Sequence, residues 1–267
     1  MNPRLMQSTA LARGLQEGML VGGDQGAQLD RSNEWDAHRT TVSLTDLALR
    51  VGCEKINAGD AQSGDVIVAN FQSAGRGRLD RTFTAPASTA LLFSLYLTPQ
   101  RSRTQWGFLP LLAGISVAET LNTLNAGITI KWPNDLLINE KKVGGIISTI
   151  HGDGVVIGIG INVSMSDQEL PVENATSLGL AGVSLLDRNL LLSKILNSLE
   201  TDFVRWDLGG SFVDRYLDLS ATITRHVRIE LPGGREILAK AISIDEQGQL
   251  NLDDGQIVSV GDVIHLR

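Results

Sequence analysis

The chain has 267 residues, 42% of them hydrophobic, and a formal charge of −7. That length supports one substantial core with a small second domain, and the acidic balance excludes a general electrostatic grip on nucleic acid. The single cysteine, Cys53, excludes a disulfide framework and a cysteine-rich zinc site, and the four histidines lack metal-ligand spacing.

Residues 1–36 read as a poorly ordered extension. A short helix over 5–20 is weakened by Gly14 and Gly18, and a glycine-rich loop follows at 22–26. The extension has no apolar signal core, and no run reaches membrane-spanning length, so a cytoplasmic protein without membrane contact is expected. A helix is predicted over 45–51 and a buried strand over 65–70. The run Gln72-Ser73-Ala74-Gly75-Arg76-Gly77-Arg78-Leu79-Asp80-Arg81 follows as a loop leaving that strand. Residues 90–97 form an apolar strand, 109–124 a core helix and 128–132 a strand cut by Pro133. Segments 136–138 and 143–150 read as a hairpin across 139–142, and 155–163 as a strand in which two glycines permit close approach to the backbone. An amphipathic helix spans 190–206 through Leu191, Ile195, Leu199, Phe203 and Trp206. Beyond 221, five short alternating runs separated by glycine-containing turns predict a small β-barrel. The main body lacks a regular βαβα rhythm, so the fold class is α+β, with domains at 37–220 and 221–267.

Two segments carry chemistry. In the first, Gly75 and Gly77 leave room for a ligand. Arg76, Arg78 and Arg81 are forked donors suited to carboxylate or phosphate. In the second, Lys131-Trp132-Pro133-Asn134-Asp135 is followed by Lys142-Val143-Gly144-Gly145-Ile146. Asn134 and Asp135 offer oxygens of the kind magnesium takes beside phosphates, and Lys142 stands next to glycine amides that can face an anion. Each segment alone also reads as a solvated basic loop or hairpin tip. Their joint presence at strand ends favours a site that activates a carboxylate with a nucleotide. No GxSxG elbow and no cysteine–histidine pair is present for covalent catalysis by the enzyme.

These two motifs, with Gly158-Ile159-Gly160-Ile161-Asn162-Val163, resemble the biotin protein ligases, or biotin–[acetyl-CoA-carboxylase] ligases, in order and spacing from about residue 40 to the C-terminus. The resemblance implies a catalytic domain like that of class II aminoacyl-tRNA synthetases and an SH3-like C-terminal domain. It also implies biotin and Mg-ATP as substrates, no tightly bound prosthetic group, and a biotin carboxyl carrier domain as partner. By the same resemblance Ser43, Gln72, Gly75, Arg76, Gly77, Arg78, Lys142 and Gly145 meet biotin. Arg78, Arg81, Phe83, Lys131, Asn134 and Asn162 meet the nucleotide, Asp135 and Asn134 hold magnesium, and Lys142, Arg78 and Arg81 are catalytic.

Three positions depart from the family pattern. Val42-Ser43-Leu44 stands where Ser-Thr-Asn is usual, Asp80 where glycine is frequent, and Phe83 where tryptophan is common. A lipoate or octanoate ligase, a biotin-responsive repressor and an inert biotin-binding module are the competing readings; the acidic charge and the lack of an N-terminal helix-turn-helix oppose the repressor. No oligomeric interface is readable.

Overall fold

A computed structural model describes residues 40–43, 57, 59, 61–70, 72–76 and 82–266, with the backbone alone at 40–43, 72–76 and 82–84. The helices expected at 5–20 and 45–51 and the loop at 22–26 lie outside these residues.

Every residue of the strand Ala90–Leu97 (β5) is buried, as befits a strand covered on both faces at the centre of a sheet. β5 runs antiparallel to Val66–Ala69 (β2) on one side and to Gly154–Asn162 (β9) on the other. Thr40–Ser43 (β1) lies parallel to β2. Beyond β9 come Lys141–His151 (β8), Asp135–Ile138 (β7) and Ile128–Lys131 (β6), completing a seven-stranded sheet in the order β1-β2-β5-β9-β8-β7-β6. A separate two-stranded sheet pairs Gln72–Arg76 (β3) with Thr82–Ala85 (β4).

Strand alternation assigns the two faces. Phe93, Leu95, Ile157, Ile159 and Ile161 join one large core with the helices. Ile67, Ala69, Ala90 and Leu92 form a smaller cluster with Met165 on the opposite face. Helix α1 (Leu109–Asn122) is apolar almost all round and starts with Pro110, whose missing N–H costs nothing in the first turn. Helix α2 (Arg188–Asp207) is capped by Asp187, which accepts from the amides of Asn189 and Leu190 at 2.8 and 3.1 Å. A third helix, α3 (Val213–Leu219), brings Arg215 to carboxylates from both: Glu119 on α1 and Asp202 on α2. Ser116 donates to the same Asp202 at 2.8 Å, so that carboxylate is shared between two partners.

The C-terminal strands His226–Glu230 (β10), Glu236–Ile244 (β11), Leu250–Leu252 (β12), Ile257–Val258 (β13) and Asp262–His265 (β14) form an antiparallel sheet in the order β13-β12-β11-β10-β14. Its core is continuous with the main one. Buried Trp132 donates through its indole N–H to Gly248 O at 3.0 Å, and its backbone N–H donates to Thr222 Oγ1 at 3.0 Å. Gly107 is pressed so closely against this seam that a Cβ there would sit 2.6 Å from Gln247 O.

Three local expectations change. The run from Gln72 to Arg76 is a strand rather than loop, because β4 supplies an antiparallel partner that the glycine- and arginine-rich composition hides. The β7–β8 turn is tighter than 139–142: Asn139 and Glu140 alone carry the left-handed backbone, at φ 47° and 68°, and Lys141 and Lys142 already belong to β8. The turn Arg103–Phe108 and helix α3 carry no clear local signal.

β8 and β9 approach so closely that a Cβ on Gly144 would lie 2.6 Å from Gly160 O, a backbone atom that cannot swing away. We expect Gly144→Ala to destabilise the fold by about 1–3 kcal/mol. Urea unfolding checks this, and an unchanged midpoint would contradict the close approach.

Candidate active site

The site begins with the turn between β6 and β7. The Trp132–Pro133 peptide is cis. The Asn134 amide closes the turn on Lys131 O at 3.1 Å. Asn134 then ties it to β8, donating from Nδ2 to Ile146 O and accepting from Ile146 N, both at 2.9 Å. This leaves Asp135 at the head of β7, opposite Gly145.

Lys142 reaches the same face through an irregularity. The register passes from Leu136↔Gly144 directly to Leu137↔Lys142, so Val143 is an extra residue in β8. In a regular strand Lys142 and Gly145, three apart, would face opposite sides. The bulge sends Val143 into the core and brings Lys142 round to Asp135. Lys142 Nζ lies 2.5 Å from Asp135 Oδ1, with side-chain exposures of 39% and 21%, so both groups are accessible to a ligand. Gly145 makes room: a Cβ there would sit 3.4 Å from Lys142 Cε and 3.8 Å from Asp135 Oδ1. Its partner across the strands is Gly160, and Gly158 pairs with Ile147 on the same face. At the Gly145–Gly160 pair the sheet is therefore bare of side chains beside the ammonium group.

A strap joins this corner to Asn162. The Lys142 amide donates to Asn174 O at 3.0 Å, and Thr176 N donates back to Lys142 O at 2.8 Å. Thr176 O in turn accepts from Asn162 Nδ2 at 2.9 Å. Asn162 is buried, and its Oδ1 has no hydrogen-bond partner among the described residues.

Lys131 pairs with Asp135 in the β-ladder, yet its charge acts on Glu140 and His265, toward the C-terminal sheet. Arg225 grips the Glu140 carboxylate with both Nη atoms, and this hydrogen bonding holds that carboxyl below its ordinary range. Thr222 Oγ1 lies 3.1 Å from His265 Nε2. Burial, then the charges of Lys131 and Arg225, push the His265 pKa down to about 4. Thr176, Thr222, Arg225 and His265 lie far along the chain from the motifs they touch, and no motif marks them.

The other site residues are placed as follows. Ser43 is the last residue of β1; Gln72, Gly75 and Arg76 lie in β3, and Phe83 in β4 opposite Gly75. Gly77, Arg78 and Arg81 lie outside the described residues. Among the described residues no group of three or more His, Cys, Asp or Glu side chains could hold a metal ion.

The profile of the Biotin/lipoate A/B protein ligase family matches residues 42–166. Over 96% of its length the chain is 35% identical to the biotin–[acetyl-CoA-carboxylase] ligase of Mycobacterium tuberculosis, of which it covers 95%. The bifunctional ligase/repressor BirA of Escherichia coli is 33% identical over 78% of this chain and 68% of that protein. Among solved structures, the biotin protein ligase from Aquifex aeolicus in complex with biotin and ATP superposes with a TM-score of 0.68 at 28% identity, over 81% of this chain and 94% of that one.

The histidine at the seam generates a pH test. His265 in the folded protein resists protonation down to about pH 4, whereas in the unfolded chain it takes up a proton from its ordinary value of 6.5. The unfolded state binds more protons in that window, so stability present above pH 6.5 is lost as pH falls toward 4. We expect the melting temperature of His265→Gln to fall less steeply than wild type between these limits. Parallel curves would contradict it.

Proposed function

The chain belongs to the family of biotin protein ligases, and from that premise we propose that it condenses biotin with Mg-ATP and then passes biotin to a protein lysine. In the first step a biotin carboxylate oxygen bonds to the α-phosphorus and pyrophosphate leaves, giving biotinyl-5′-AMP. In the second, a carrier lysine amine, losing a proton, bonds to the acyl carbon and AMP leaves.

The observation that carries this reading is Lys142 held against Asp135 beside the bare strip at Gly145 and Gly160. Two anions must meet in the first step, and an ammonium between them offsets their repulsion. Asp135 keeps that ammonium in place before substrate arrives. With Asn134 Oδ1 it would hold the magnesium that ATP brings, freeing Lys142 to bridge the biotin carboxylate and the α-phosphate. The side-chain-free strip lets the reacting atoms lie on the sheet. Arg78 and Arg81 take the phosphate charge, Gly77 and Arg78 close the biotin side with Gln72, Gly75, Arg76 and Ser43, and Phe83 and Asn162 sit by the adenine nucleotide with Lys131. Val42 and Leu44 flank Ser43 in place of polar residues, so the ureido ring has fewer partners; each buried group left unpaired costs about 1–3 kcal/mol of affinity.

The acceptor in this reading is a lysine on the biotin carboxyl carrier domain of an acyl-CoA carboxylase. Residues 37–220 carry the chemistry and 221–267 the smaller domain. No helix among the described residues is long and apolar enough to cross a membrane. A cytoplasmic reaction follows from the need for ATP and carrier together.

Mixing the protein with Mg-ATP, a carrier domain and either biotin or lipoate, and weighing the carrier, tests the reading. A biotin-dependent mass gain supports it, and a gain with lipoate alone transfers the assignment. Lys142→Ala should slow biotinyl-AMP formation by about 10²–10³-fold with thermal unfolding unchanged. Unaltered turnover would remove Lys142 from its role.

A further inference from the structure

Helix α2 opens with a residue that its helix does not favour. The first turn holds no acid, and Arg188 places a cation at the positive end of the helix dipole. Its guanidinium is partly buried, and burial pulls its pKa below the ordinary arginine value, with the charge of the capping Asp187 opposing that pull. Both of its hydrogen bonds among the described residues go to neutral oxygens: Nη1 to Ala90 O at 3.2 Å and Nη2 to Asn70 Oδ1 at 2.9 Å. Helix stability does not account for a cation kept there, but the identity of the two acceptors does.

Asn70 lies where the chain leaves β2 for β3. Ala90 is the first residue of β5, reached after β4. The two crossings are also stitched to each other: Ser88 donates from its backbone N to Asn70 O at 3.1 Å and from Oγ to Asn70 Oδ1 at 3.2 Å. Ser88 adopts φ 67° to do so. One planar fork thus joins both stems of the β3–β4 ribbon to the large sheet and to α2. A lysine could not span two acceptors in this way.

We propose that Arg188 is a positioning residue for the biotin side of the reaction: it fixes the angle at which β3, with Gln72, Gly75 and Arg76, leaves the sheet. The inference rests on the ligase reading above. It concerns the β2–β5 side of the site, separated in the sheet by β9 and β8 from the β7 strand that carries Asp135. A shift at the neck therefore acts on the whole ribbon, Phe83 on β4 included, and spares Asp135 and Lys142. A loss of folded protein would instead lower kcat and leave both KM values alone.

Pyrophosphate release is to be followed at varied biotin and at varied ATP for wild type, Arg188→Ala, Arg188→Lys and Asn70→Ala. KM for biotin should rise about tenfold or more in Arg188→Ala and in Asn70→Ala, since each loses a charge-assisted bond, and by less in Arg188→Lys. KM for ATP should rise by less, because Phe83 rides on the ribbon while Asp135 and Lys142 stay in place, and the Arg188→Ala/Asn70→Ala double variant should add little to either single one because the two residues act as a unit. Should Arg188→Ala fail to fold, Asn70→Ala, altered outside any helix, carries the test. An unchanged KM for biotin, or a fall in kcat with both KM values unchanged, overturns the proposal. An inactive wild type overturns the ligase reading itself, and this inference with it.

Discussion

Val143 is one residue more than β8 needs to keep step with β7, and that surplus decides where the Lys142 amine goes. The core accepts the valine, the strand turns, and a lysine that alternation would have aimed elsewhere meets Asp135. The rest of the site is arranged around this turn. Gly144 must lack a side chain because β9 passes directly against it, and Gly145 leaves the face over which the lysine stem lies open. The strap through Asn174 and Thr176 uses the backbone groups of Lys142 and holds Asn162 by its amide. A bulge is often where a sheet re-aims a functional side chain, and here the glycines on either side of the ladder make that re-aiming sterically possible.

Much of the fold was legible because burial leaves a periodic trace. β5 occupies the span read from its apolar run, and β2, β9, α1 and α2 fall within a few residues of theirs. The five C-terminal runs become five strands, since polar turns separate them cleanly. Legibility failed where partners are distant. β3 is held as a strand by β4, and no apolar pattern in Gln72–Arg76 announces it. Lys141 and Lys142 read as a solvated tip although the ladder already includes them, because charge alone does not distinguish a tip from an edge. Helix α3 earns its place through Arg215, whose carboxylates come from α1 and α2.

The site divides in the same way. Lys142, Asp135 and the glycines stand out as a motif, but the ion pair between the first two depends on a register shift that composition does not encode. Asn134 reads as a metal ligand, and half of its amide turns out to be a backbone tie to Ile146. Lys131 reads as part of the phosphate cluster, and its charge is felt by His265 and Glu140. Thr222, Arg225 and His265 come from the far end of the sequence, where alternation announces a barrel and nothing announces contact with the turns around β7. Arg188 lies just before the helix read over 190–206, and its acceptors, Asn70 at the β2–β3 crossing and Ala90 on β5, stand a hundred residues or so upstream.

The seam at Trp132 makes the smaller sheet part of the support of the larger one. The indole finds its acceptor only when Gly248 has arrived, and Thr222, which holds the Trp132 amide, is itself engaged by His265 on β14. β14 pairs with β10 almost at the last residue of the chain. The turn that carries Asp135 therefore takes two ties from the C-terminal part of the fold, beside its own ties to β8. Loosening the smaller sheet would withdraw those two ties, and the disturbance would reach the Asp135–Lys142 pair through a turn that lies in another sheet.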